Sequence, residues 1–355
     1  MIETQLIETE RTKQSRLAQT DFDNLAFGRT FSDHMALMDY RDGKWQKPKI
    51  LPYQNLSMSP CASVIHYGQS IFEGMKAYKN EEGRFGLFRP DRNIERMNKS
   101  AVRMCMPEIP TDVFMELLSE LIRIDHEWIP AGELSSLYIR PFMFATDEYI
   151  GVKASEDYRF MIITSPVNAY YSKPVRVKVE RHYTRAARGG TGFAKAAGNY
   201  AGSMHPAKLA NRDGYDQLLW TDAKEHKYIE ESGTMNVMFV IDGVLVTPEL
   251  SDTILDGVTR RSVLRMAKDW GMKVEERRIA VDEIKAAHAA GKLEEAFGCG
   301  TAATIAHIEA IGDGNETMEL PDPKERELSN KIMKYFTDLK KFRTLDPHGW
   351  MVELS

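Results

Sequence analysis

One lysine in this 355-residue chain stands where it could be made chemically active. Lys195 lies in Gly189-Gly190-Thr191-Gly192-Phe193-Ala194-Lys195-Ala196-Ala197-Gly198-Asn199-Tyr200-Ala201-Gly202. A lysine attacks a carbonyl only as the free amine, so near neutral pH it needs positive neighbours, desolvation or both. From Arg181 to Arg212 there is no Asp or Glu, where an average acid content would place roughly five. The same stretch holds His182, Arg185 and Arg188. Small residues on both sides of the lysine would let a flat molecule approach the backbone. The plainer alternative is a flexible Gly-Ala loop with a solvated lysine. A phosphate-binding P-loop is excluded, because the required Gly-Lys-Ser/Thr does not follow.

Other segments carry groups that could serve the same chemistry. Glu231 stands before Ser232-Gly233-Thr234, a turn-forming run followed by an apolar strand. Taken alone it reads as a surface acid beside Glu230. Gly257-Val258-Thr259 opens a helix, and a helix N-terminus is a ready anion site as well as a plain cap. Arg89, in Leu87-Phe88-Arg89-Pro90, could add a guanidinium to an anion or lie exposed at a strand end. A second Gly-rich turn, Gly298-Cys299-Gly300-Thr301-Ala302, offers the hydroxyl of Thr301. Tyr138 and Arg140 are two residues apart on a strand and so share one face. Tyr200 falls on the helix after the lysine.

The elements that would position these residues are mixed. Asp33 to Tyr40 and Lys49 to Tyr53 read as strands joined by an Asp42-Gly43 turn. Met75 to Tyr78 and Phe85 to Phe88 form a second hairpin. Helices run from a cap at Asp91 to Met104, and from Thr111 to about Trp128, stopped by Pro130. Strands follow at Leu137 to Phe144 and Phe160 to Val167. The tyrosine-rich stretch Asn168 to Pro174 reads as a linker. Beyond it come strands at Val175 to Glu180, Gln217 to Thr221 and Val237 to Thr247, the last turning on Asp242-Gly243. Helices reach Asn211, span Val258 to Trp270 up to Gly271, and close the chain at Leu328 to Phe342. Without regular βαβα alternation this is an α+β arrangement. The expected division is a small N-terminal domain at 1–167, a linker at 168–178 and a large domain at 179–355.

Composition narrows the functional classes. The net charge of −5 argues against a nucleic-acid scaffold, which needs a basic surplus. Hydrophobic residues at 43% and charged residues at 28% suit a fully folded chain. Cys61, Cys105 and Cys299 are far apart and lack a CxxC pair, so neither a disulfide framework nor a zinc site is expected and no metal is called for. The polar N-terminus lacks the apolar stretch of a signal peptide, and no apolar run suits a membrane span. The expectation is a soluble, cytoplasmic protein.

The wording of the lysine segment resembles that of the branched-chain amino acid aminotransferases, fold-type IV enzymes that use pyridoxal 5'-phosphate (PLP). The resemblance runs from about Phe27 to Trp350, through FGRTFSDHM, HYGQSIFEGMKAY, LFRPDRN, SLYIRPF, GGTGFAKAAGNY, EESGTMNVMFV, ILDGVTRRS and GCGTAA. It implies the two-domain fold also seen in D-amino-acid aminotransferase, a homodimer, and a cofactor held as a Schiff base on Lys195. The substrates it implies are leucine, isoleucine and valine with 2-oxoglutarate and the corresponding 2-oxo acids.

Roles follow from the same resemblance. Glu231 would keep the pyridine nitrogen protonated, and Tyr200 would donate to the ring oxygen. Arg89, Val258, Thr259 and Thr301 would hold the phosphate. Backbone amides at Thr301 and Ala302 would receive the substrate α-carboxylate. Phe27, Tyr67, Phe72, Tyr138 and Tyr170 would line the side-chain pocket, with Ile150 and Val152 on a loop given to the partner subunit. Arg140, sharing a strand face with Tyr138, would by its spacing place one charge in this mostly apolar pocket, which suits an enzyme that must also bind glutamate. Mammalian relatives carry a CxxC pair where this chain has Ala303 and Ala306, so that thiol switch is expected to be missing. D-amino-acid aminotransferase and aminodeoxychorismate lyase share the lysine and fold, but FGRTFSDHM and SLYIRPF favour the branched-chain group. A binding protein that lost its cofactor is the rival from another class, and intact Lys195, Glu231 and Tyr200 argue against it.

Overall fold

The computed structural model describes residues 7–169 and 173–355, which form two compact units. Unit 1 takes residues 7–169, Ala194–Gly198 and Thr337–Ser355; unit 2 takes residues 173–193 and Asn199–Phe336. Two segments that the sequence division gives to the second domain therefore belong to the first. The C-terminal one does so because Met351–Glu353 pairs antiparallel with Phe85–Phe88. The 194–198 segment is tied in by a bridge between Ile71 and Ala196.

Unit 1 is built on a ten-stranded sheet. Its strands are β1 (Glu8–Thr9), β2 (His34–Arg41), β3 (Lys44–Trp45), β4 (Lys49–Pro52), β5 (Ser70–Phe72), β6 (Met75–Lys79), β7 (Phe85–Phe88), β8 (Ser136–Ala145) and β9 (Tyr158–Val167), with the C-terminal strand beside β7. Asp42 and Gly43 both adopt positive φ, as the expected tight turn requires. That turn joins β2 to the short β3, and β4 then pairs along β2 as well. Helices α1 (Ser63–Tyr67), α2 (Pro90–Arg103) and α3 (Thr111–Ile124) belong to this unit. Asp91 does not cap α2. Pro90 occupies the first helical position, Arg89 takes the cap in the left-handed region, and Asp91 lies within the first turn. Helix α3 stops at Ile124, and His126–Trp128 is a separate 3-10 turn. Between sheet and helices lies a core that includes Met97, Phe114, Leu118, Ile139 and Phe160.

Unit 2 carries a nine-stranded sheet: β10 (Val175–Val179), β11 (Gln217–Thr221), β12 (Ile229–Ser232), β13 (Met235–Ile241), β14 (Val244–Thr247), β15 (Val274–Glu276), β16 (Leu293–Gly300), β17 (Thr304–Asp313) and β18 (Glu316–Glu319). The order β12-β11-β10-β17-β16-β13 closes on itself through a β12–β13 pair. Helix α4 spans Ala197–Arg212, and α5 (Val258–Asp269) and α6 (Val281–Ala289) follow. Helix α7 (Glu327–Lys340) ends before Phe342 and does not close the chain, since the Met351–Glu353 strand comes after it. No helix among the described residues is long and apolar enough to cross a membrane.

Candidate active site

In unit 1 Lys195 is gripped through its main chain. Its N–H donates to Ser100 Oγ on α2 at 2.9 Å, and its carbonyl accepts from the N–H of Phe72, the last residue of β5, at 3.0 Å. The backbone is thus fixed on both sides while the amine extends over the Phe72 ring, 4.7 Å from its centroid. This is not the arrangement of a solvated lysine on a flexible loop.

Phe27 and Tyr138, two of the aromatic residues expected to form a side-chain pocket, are linked to the same ring through Arg140. Tyr138 and Arg140 share a face of β8, as their spacing requires, and Arg140 Nη2 donates to the Tyr138 hydroxyl at 2.8 Å. The guanidinium also lies 4.5 Å from the Phe72 centroid. Phe27 meets Tyr138 edge-on at 4.9 Å. Gly74 is required here, because a Cβ would stand 2.5 Å from the Tyr138 hydroxyl. Among the described residues Arg140 has no carboxylate partner; its contacts are one phenol and two ring faces. Tyr67 ends α1 and is exposed, and Ile150 and Val152 stand out from the loop between β8 and β9 at 65% and 91% exposure. Arg89 lies over the Trp350 ring. Tyr170 falls outside the described residues.

Unit 2 brings the polar candidates together by strand register. Glu231 stands opposite Asn236 across β12 and β13, and Asn236 stands opposite Cys299 across β13 and β16. The β12–β13 turn is made by Gly233 at positive φ. Glu231 is buried, with Oε1 accepting from the Leu255 N–H at 2.7 Å and meeting Arg185 Nη2 at 2.8 Å. Asn236 Nδ2 donates to the Leu255 carbonyl at 2.8 Å. Both main-chain polar groups of Leu255 thereby lock the segment entering α5 against the strands. Gly257 makes this possible, because a Cβ there would come within 2.0 Å of Asn236 Oδ1.

Helix α5 begins at Val258 with no side-chain cap and no acid in its first turn. The hydroxyls of Thr259 and Thr301 take no hydrogen bond from the described residues. Thr301 and Ala302 lie in the turn after β16; Gly298 and Gly300 are in the strand itself, so the turn begins later than the glycines suggest. Tyr200, on α4, lies near enough to Arg185 to act on its charge.

Arg185 is the residue whose role the sequence conceals. Its place among the cations near the lysine suggests service to Lys195; it is instead committed to Glu231 and also donates to the Gly192 carbonyl at 3.2 Å. Burial works to strip its proton, and the Glu231 charge overrides this, holding the guanidinium above its usual range. No local signal joins residues 185 and 231. Next to them, burial pushes the Glu230 carboxyl up to about 7, with Thr253 donating to Oε1 and Oε2 left without a partner. Burial likewise pushes the Cys299 thiol up to about 12, which makes it a poor nucleophile.

The family model for class IV aminotransferases matches residues 70–311. Branched-chain-amino-acid transaminase 1 of Bacillus subtilis is 47% identical over 98% of this chain and 99% of its own. The chain belongs to the branched-chain-amino-acid aminotransferases, within aminotransferase class IV. The second B. subtilis aminotransferase of this name is 46% identical over 99% of this chain and 98% of its own. Among solved structures, the branched-chain aminotransferase of Thermoproteus uzoniensis with norvaline is 25% identical, covers 90% of this chain and 100% of its own, and superposes with a TM-score of 0.74. The branched-chain amino acid aminotransferase of Escherichia coli is likewise 25% identical, with a TM-score of 0.71 over 90% of this chain and 99% of its own. Members of this class are PLP enzymes that act on amino acids and 2-oxo acids.

The residues present fit that cofactor. Glu231 offers a buried carboxylate whose Oε2 takes no hydrogen bond from the described residues. The uncapped start of α5 offers amide donors and the Thr259 hydroxyl. Lys195 offers a side-chain amine on a main chain held from both sides.

Proposed function

We propose that this chain exchanges the amino group between leucine, isoleucine or valine and 2-oxoglutarate, with PLP attached through the amine of Lys195. The observation that carries the reading is the pairing of an aromatic wall with one guanidinium that has no carboxylate partner among the described residues: Phe27, Phe72 and Tyr138 around Arg140. An aliphatic side chain suits the rings. The distal carboxylate of glutamate needs a charge, because burying it unpaired costs several kcal/mol.

When bound, the cofactor supplies a ring that accepts the electron pair released at the substrate α-carbon. Glu231 Oε2 would hold a proton at the ring nitrogen, and Arg185 would orient the carboxylate. Tyr200 donates to the ring oxygen. The α5 amides at Val258 and Thr259, with Thr259, Thr301 and Arg89, hold the phosphate. The amides of Thr301 and Ala302 hold the substrate α-carboxylate. Lys195 Nζ, once free, would take the proton that the substrate α-carbon loses and pass it to the cofactor, which keeps it together with the amino group. Tyr67 would complete the pocket wall. The exposed apolar tip at Ile150 and Val152 supports a homodimer in which this loop serves the other subunit.

A panel of amino donors with 2-oxoglutarate tests the reading. Leucine, isoleucine and valine are expected to exceed D-alanine and aromatic donors in kcat/KM. A preference for D-amino acids would replace this substrate assignment with that of the D-specific branch.

A further inference from the structure

Helix α5 has to begin at a fixed place, and its own sequence does not fix it. Its first residue, Val258, follows Gly257, and no side chain caps the helix. The Gly257 carbonyl accepts the first helical bond, from the Arg261 N–H at 3.0 Å. What stands against the cap position comes from the sheet. Asn236 is buried and is the one polar residue of β13, where an amide without partners would be costly. Its Nδ2 donates to the Leu255 carbonyl at 2.8 Å, and a Cβ on Gly257 would lie 2.0 Å from its Oδ1. Gly257 has φ −69° and ψ 129°, a conformation open to most residues. The glycine is therefore needed for space and not for backbone freedom.

The stretch leading to α5 is held from two strands in turn. Thr253 donates to Glu230 Oε1 at 2.6 Å, and the Leu255 N–H donates to Glu231 Oε1 at 2.7 Å, so β12 holds the chain as far as Leu255. From the Leu255 carbonyl to Gly257 the chain rests on Asn236 of β13 instead. The amides at the start of a helix have no partner within it and point out of its end, so where the helix starts decides where those donors stand. Groups that bind a ligand are only as well placed as the side chains behind them.

We infer that Asn236 is a positioning residue for the phosphate end of the cofactor site: by holding the Leu255 carbonyl and seating Gly257, it sets where the α5 amides begin. The inference rests on the start of α5 being the phosphate site. Glu231 and Asn236 grip the two main-chain polar groups of one residue and so divide the work, Glu231 serving the ring end and Asn236 the phosphate end. A side chain that only completed the sheet would affect both ends alike.

The test uses two ligands that differ only in the phosphate, pyridoxamine 5'-phosphate and pyridoxamine, neither of which needs a bond to Lys195. Their dissociation constants are measured by equilibrium dialysis against the full-length protein stripped of cofactor. The parent is expected to bind the phosphorylated form far more tightly. Asn236→Ala is expected to weaken pyridoxamine 5'-phosphate by about tenfold and pyridoxamine by less than about twofold. Gly257→Ala should cause a similar selective loss, because the new Cβ pushes the helix start away from Asn236. Adding it to Asn236→Ala should cost little more, since the shortened side chain makes room for the Cβ. Thermal unfolding identifies the folded variants, and a selective loss in either folded single variant supports the proposal. Equal losses for both ligands, no loss for either, or fully additive losses in the double variant would overturn it. A parent that binds both ligands alike would remove the phosphate site itself, and the inference with it.

Discussion

Two arginines in this molecule sit among candidate functional groups and are treated in opposite ways. Arg185 in unit 2 is buried and paired with the carboxylate of Glu231. Arg140 in unit 1 is half-buried and has only the Tyr138 hydroxyl and the faces of Phe72 and Tyr138 as partners among the described residues. A guanidinium with an internal counter-charge fixes a group of the protein. One whose partners are neutral keeps its charge available for a carboxylate arriving from outside, and the surrounding rings still offer apolar area. Residue type is the same in both regions; the partner decides the role.

The comparison can be broken most forcefully at Arg185. Arg185→Met leaves buried Glu231 without its counter-charge and should cost about 3–5 kcal/mol of stability, measured by urea unfolding. Arg140→Met strands no carboxylate and should cost far less in the same experiment. Equal losses would erase the distinction.

A smaller, more selective effect is expected on catalysis at Arg140. A hydrogen bond to a charged group contributes roughly 1.5–3 kcal/mol, so Arg140→Met should lower kcat/KM for glutamate and 2-oxoglutarate by about 10- to 150-fold. Leucine and its oxo acid should change much less. Half-reactions followed at the cofactor absorbance band give both constants. An equal fall for both substrates would place Arg140 in the scaffold or at the α-carboxylate.

The smallest effect concerns Glu230, the unpaired neighbour of the paired Glu231. Its folded carboxyl keeps a proton up to about 7, against an ordinary value of 4.5. Between those values the folded state binds more proton than the unfolded one, so stability falls as pH rises through this window. Glu230→Gln has no charge to bury. It should match the parent near pH 4 and exceed it at pH 8 by on the order of 1–3 kcal/mol, read as thermal midpoints at the two pH values. A constant difference across pH would mean that Glu230 is already ionised when folded.

What the sequence reveals and conceals divides along similar lines. The shared face of Tyr138 and Arg140 follows from strand periodicity alone. The glycine turns at Asp42-Gly43 and Asp242-Gly243, and the end of α5 near Gly271, follow from local backbone preference. The Arg185–Glu231 pair, the Ser100 contact to Lys195 and the return of Met351–Glu353 to β7 are long-range events without local signature. Strands β16 and β17 escape sequence reading for a different reason. Leu293-Glu294-Glu295-Ala296-Phe297-Gly298 breaks alternation because Glu295 points inward, where it accepts bonds from Leu328 N–H and Ser329. Helix α6 escapes it because Val281, Ile284 and Ala287 form only a short apolar stripe. Site residues are readable chiefly through family wording, since each one taken alone has an ordinary structural explanation.

The central claim is that Lys195 is the reactive amine, and borohydride reduction of the purified holoenzyme followed by peptide mass spectrometry tests it most directly. The account predicts a stable cofactor adduct on the peptide containing Lys195 and its disappearance in Lys195→Ala. An adduct on any other lysine, or one that persists in Lys195→Ala, would contradict it.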